Sequence, residues 1–164
     1  MRALPCLAGF RLPALVFTLA CLAAAGSLAA EPDRSVQSRL DAKDTPYAID
    51  SDGDFEILVR IDDERTQRVW VRSVVEETNF QRVREIWSAG YQSPMDSFPA
   101  SVANRLLEDS HRRKLGGWVK QGNTAVYVIK IDADAHADVL DEAIDAAASI
   151  ADEFELDVVG GDEL

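Results

Sequence analysis

The chain has 164 residues, with 17 Lys and Arg against 29 Asp and Glu, for a formal net charge of −12 at pH 7. Such an acidic polypeptide repels nucleic acid and anionic lipid surfaces, which excludes both as default partners. Its two cysteines, Cys6 and Cys21, both fall within the first 29 residues.

Those 29 residues read as a targeting segment. Arg2 and Arg11 supply a positive start, Leu12 to Ala25 an apolar run, and Ser27-Leu28-Ala29 a small-x-small cleavage site. Residues 1–29 are therefore expected to be a signal peptide cut after Ala29, which makes the mature chain periplasmic or secreted. The apolar run is too short and alanine-rich for a lasting transmembrane helix of about 20 residues, so no stable membrane insertion is expected after cleavage. A lipidated Cys21 fits poorly, because apolar residues continue beyond it to Ala30. Cleavage leaves 135 residues, the size of one ordinary domain, and losing two arginines moves the net charge to −14. No cysteine survives to form a disulfide, a nucleophile or a zinc site.

Residues 30–45 are polar, and only Val36 and Leu40 stand at helical spacing, which predicts at most a short, weakly anchored helix. Tyr47-Ala48-Ile49 leads through "DSDGD" into "FEILVRI", where Phe55, Ile57, Val59 and Ile61 share one side of a period-two pattern and complete a hairpin. "DSDGD" is not an EF-hand, because counting from Asp50 glycine falls at four and Ile61 at twelve; it reads as a turn made by local side-chain bonds. "RVWVRSVV", Arg68 to Val75, is β-branched and aromatic, hence a third strand. "FQRVREIW" is ambiguous in period, and its brevity before Gly90, Pro94 and Pro99 favours a strand.

Pro99 to Leu115 carries Val102, Ala103, Leu106, Leu107 and Ser110 at helical spacing, with Gly116-Gly117 as a stop. "WVKQGNTAVYVIKI" gives two strands about Gln121-Gly122-Asn123. A last helix, from about Asp134, sets Leu140, Ala143, Ile144, Ala147, Ala151 and Phe154 on one stripe, with Asp141, Glu142, Asp145, Asp152 and Glu153 away from it. Helix, strands, helix, hairpin, helix is the order of an α+β domain: an antiparallel sheet flanked by helices.

"DADAHAD" is the one stretch with the look of a chemical site. Extended, it would aim Asp132, Asp134, His136 and Asp138 one way, as ligands for a divalent cation; helical, its aspartates would meet the free amides of a first turn. The apolar stripe starting at Val139 favours the helix, and no metal or cofactor is assigned. Two histidines, no nucleophile elbow and no phosphate-binding glycine loop give no catalytic set. A small periplasmic metal-dependent hydrolase using Asp132, Asp134 and His136 is the alternative.

"YAIDSDGDFEILVRI", "RVWVRSV", "VREIWSAGY", "VANRLLEDSHRRKLGGWV" and "ADVLDEAIDAAASIADEFE" together resemble the YbjN-domain family, whose fold is like that of type III secretion chaperones. The resemblance implies a partner-binding scaffold over 46–157, with no residue carrying a catalytic role, and it leaves 158–164 as a flexible acidic tail. Its closing "GDEL" has glycine where an ER-retrieval signal carries a basic residue. The expected function is that of an exported, non-catalytic adaptor or chaperone-like domain binding a protein or peptide. Trp70, Trp87 and Trp118 are the aromatic anchor candidates, against core packing as the plainer role. Arg112 and Arg113 could pair with acidic groups on a second copy to make a homodimer, although cations at a helix C-terminus already have a structural reason to be there.

Overall fold

A computed structural model describes residues 31–160; the expected signal peptide and the end of the expected tail lie outside the described residues. Three helices and six strands follow one another as α1 (Arg34–Asp41), β1 (Ala48–Ile49), β2 (Phe55–Arg60), β3 (Thr66–Glu77), β4 (Arg82–Gln92), α2 (Ala100–Arg112), β5 (Gly117–Gln121), β6 (Thr124–Asp132) and α3 (Ala137–Val158). The strands form one antiparallel sheet in the order β1-β2-β3-β4-β6-β5, so the architecture is α+β.

Strand alternation decides which side becomes core. Phe55, Ile57, Val69, Val71, Ile86, Tyr127 and Ile129 project to one face, where they meet Leu140, Ala143, Ile144, Ala147 and Ala148 of α3. All six residues of the predicted α3 stripe are buried. α2 packs over β5 on the same side, joined through Leu106, Ala125 and Phe154. Every helix of the described residues therefore lies on one face. Between β5 and β6, Gly122 holds φ at 58°, the positive value that the first position of a tight two-residue hairpin turn requires.

Several expectations are corrected. β4 begins after Phe80, which is 95% exposed in the turn, and runs on through Gly90 to Gln92. α2 stops at Arg112, Pro99 is its cap residue, and Leu107 faces solvent. In β6 the run from Ala125 to Ile129 is buried on both sides of the sheet. Asp152, expected among the wet acids of the last helix, is buried and accepts two hydrogen bonds from Arg65, at 2.9 and 3.0 Å.

The first helix is far better anchored than its polar sequence implies. Val36 and Leu40 are buried in the main core, and Asp33 caps the helix by accepting from the Ser35 and Val36 amides. The other Asp33 oxygen takes a hydrogen bond from Arg84 at 2.6 Å, and Ser73 Oγ accepts from the Asp33 amide. Burial opposes ionisation of Asp33, but hydrogen bonds from Ser35 and Arg84 outweigh it and bring the carboxyl down to about 2. A depressed folded value gives stability that is present above about pH 4 and lost as pH falls toward 2; with the side chain a quarter exposed, the contribution is about 1–2 kcal/mol. Asp33→Asn should accordingly cost this amount at pH 7 and nearly nothing at pH 2, measured by urea unfolding. A gap that stays constant across that range would contradict it.

Candidate functional site: the uncovered face of the sheet

With all helices on one side, the alternate residues of each strand form a second face that no helix of the described residues covers. Strand register places its side chains. Trp70 on β3 stands directly opposite Trp87 on β4, with Glu56 beyond the first and Val128 beyond the second. The two indoles thus sit side by side on the two central strands. Leu58 on β2 is 60% exposed and Val119 on β5 43% exposed, so apolar surface extends to either side of them.

The charges around the tryptophans are already matched. Arg68 lies over the Trp70 ring at 5.9 Å from its centroid and bonds Glu56 at 2.8 Å. Arg72 lies over Trp87 at 4.5 Å and pairs with Asp54 at 3.0 Å. Lys130 pairs with Glu85 at 2.9 Å, and Glu85 also accepts from the Trp87 indole N–H. Burial opposes ionisation of Glu85, yet the hydrogen bonds from Lys130 and Trp87 hold its carboxyl below the usual range. Burial dominates at Asp54, raising its carboxyl, with its fixed bond to the Ser73 amide opposing. Guanidiniums held over indoles stiffen this face while leaving it apolar between the charges.

The five expected binding residues separate. Trp70 and Trp87 lie together on the uncovered face. Trp118 points the other way: its ring packs against Tyr127 at 5.2 Å and Phe154 at 4.7 Å, and its N–H bonds Asp109 at 2.8 Å. Gly90 exists for this ring, since a Cβ there would meet the Trp118 tip at 2.5 Å and the Ala151 carbonyl at 3.0 Å. Arg113 is bound into the same cluster through Asp109, at 2.9 Å, and reaches Glu153 on α3 at 3.0 Å. Arg112 is more open and touches Asp109 at 3.4 Å. The basic end of α2 thus ties helix to helix.

"DADAHAD" splits between two elements. Asp132 ends β6 and accepts from the Asp134 amide; Asp134 forms a two-pronged pair with Arg82, at 2.7 and 2.9 Å. The helix begins later than Asp134, at Ala137, and its cap is the imidazole of His136, which accepts from the Asp138 amide at 3.3 Å. Asp138 alone occupies the first turn, where Lys43 pairs with it. No three His, Cys, Asp or Glu side chains among the described residues converge on a metal-sized site. "DSDGD" forms the expected turn: Asp50 accepts from the Asp52 and Asp54 amides, and Gly53 takes a φ of 81°.

Sequence reasoning missed Arg68, Arg72, Glu85 and Lys130 as companions of the tryptophans. The signal was present in the alternation itself, since Arg68, Trp70 and Arg72 recur at steps of two, as do Glu85 and Trp87. No family model matches this chain, and no curated protein is similar to it.

Proposed function

We propose that this chain is an exported, non-catalytic protein-interaction domain, adaptor or chaperone-like in kind, that binds through the uncovered face of its sheet. The observation that supports it best is the Trp70–Trp87 pair, held side by side at the centre of a face with no helix over it. Paired tryptophans framed by arginines are the side chains that dominate binding energy where proteins meet. Their cations are satisfied beforehand by neighbouring carboxylates, so contact buries apolar surface without stranding a charge. The likeness of the sequence to YbjN-domain proteins and to secretion chaperones supports a partner-binding role, and the leader-like first 29 residues support export.

A photo-crosslinking residue at Leu58, on the open face, should form a protein adduct in an envelope extract, whereas one at Glu142, on the acidic side of α3, should not. Equal labelling at both positions, or none at Leu58, would remove the support for this surface. Trp70→Ala combined with Trp87→Ala is expected to lower the Leu58 adduct about tenfold or more.

A further inference from the structure

We infer, building on the reading of the uncovered sheet face as a binding surface, that a second copy of this chain covers it, the two sheets stacking face to face about a two-fold axis. The distribution of charge argues for this occupant. α3 carries eight acidic residues and no basic one, and it lies with α1 and α2 on the opposite face. The sheet face itself is close to balanced: Arg68, Arg72 and Lys130 are each paired with a carboxylate, Arg60 offsets Glu76, and Asp132 at the end of β6 leaves one negative charge at its margin. Nearly all of the net charge of −12 therefore resides elsewhere, on the helices and loops.

A two-fold contact requires one patch to complement itself. Two nearly neutral, aromatic faces satisfy that requirement, and stacking them sends both acidic helix layers to the outside of the pair. Docking through the helix layer of either copy would instead bring an acidic surface inward. Sheets packed this way stand about 10 Å apart with their inner side chains interlocked, crossing at about −30°. Trp70 and Trp87 are then the central ridge, with Leu58 and Val119 at its flanks.

The size is adequate for a dimer of moderate strength. Six strands about 4.8 Å apart span roughly 24 Å, and about six residues of each at roughly 3.3 Å add about 20 Å, a plan area on the order of 500 Å² per copy. With side-chain relief added, the pair reaches the lower end of the range of about 1,200–2,000 Å² that specific interfaces bury.

Sedimentation of the purified protein tests this. A monomer–dimer equilibrium in the micromolar range is expected, tightening severalfold from about 50 to about 500 mM salt as repulsion between the acidic layers is screened. Leu58→Glu should weaken it about tenfold or more while leaving the circular dichroism spectrum unchanged, because the side chain is exposed. Trp87→Glu should weaken it further. A protein that stays monomeric at millimolar concentration, or a dimer indifferent to Leu58→Glu, overturns the second copy as occupant. If the monomer nonetheless yields the Leu58 adduct with a different protein, only the identity of the occupant falls. A monomer with no adduct sinks the binding surface as well.

Discussion

Replacing Arg84 with alanine is expected to lower the unfolding free energy by about 3–5 kcal/mol, the penalty typical of removing one member of a buried charged pair. Arg84 is 1% exposed on the core side of β4 and is among the largest fully buried side chains of the described residues. One end of its guanidinium donates to the carbonyls of Arg72 and Ser73, where the register between β3 and β4 shifts; the other donates to Asp33 at the cap of α1. Without it, two carbonyls lose a charged donor, the cap loses its counter-ion, and the space of a fully buried side chain is left empty on the core side of β4. Urea unfolding of Arg84→Ala against Arg34→Ala measures the effect, since the exposed Arg34 of the same helix should change stability by less than about 0.5 kcal/mol. Equal midpoints for the two variants would show that the network does not hold α1 to the sheet.

Arg84 also shows where the sequence ceases to be readable. In "FQRVREIW" the alternation that favours a strand puts Val83, Glu85 and Trp87 on one side, and the natural inference makes the tryptophan side the core. The structure reverses this: Arg84, Ile86 and Ser88 face the helices. Periodicity fixes which residues travel together, but it does not choose the buried side when each side has one strong apolar residue. The choice was made by residues far along the chain. Asp33 is 51 positions away and supplies the charge that lets an arginine enter the core; Gln67 supplies Ser88 with a hydrogen bond at 3.1 Å. Neither partner is announced by local pattern.

Elements with a single strong periodicity were legible for the same reason. α3 has one apolar stripe, and all of it is buried. β2 and the β5–β6 turn alternate or carry glycine where backbone geometry demands it. The candidate site was half legible. Composition singles out the three tryptophans, but only topology divides them, because Trp118 belongs to an edge strand whose inner face meets α2 and α3 while Trp70 and Trp87 belong to central strands whose outer face meets nothing helical. The basic run at the end of α2 has partners that local pattern does not announce. Arg113 reaches Glu153 on α3, forty residues later, while Arg112 pairs with Asp109 of its own helix.

Phe154 is where that cohesion concentrates, and Phe154→Ala is expected to cost about 3–5 kcal/mol, as for other buried phenylalanines. Its ring is 5% exposed and packs with Leu106 of α2 and Ala125 of β6, and its centroid lies 4.7 Å from that of Trp118. No other α3 side chain belongs to the buried set of this smaller cluster, so truncation removes the one fully buried apolar link between α2 and α3, with the half-buried Val158 left at its edge. What remains between these two helices is largely polar: Arg105 with Asp157, and Arg113 with Glu153, partly exposed pairs that contribute about 0–1 kcal/mol each. The loss should therefore be local before it is global. Hydrogen exchange in Phe154→Ala should show the α2 amides losing protection well ahead of those in β3 and β4, with Leu156→Ala, at a half-exposed position two residues on, close to the parent. Uniform loss across sheet and helix would mean that α2 unfolds only with the whole domain. Because the proposed binding face lies on the far side of the sheet, loosening α2 in this way should leave self-association at the Trp70–Trp87 face unchanged, which separates the packing role of Trp118 and Phe154 from the recognition role of the other two tryptophans.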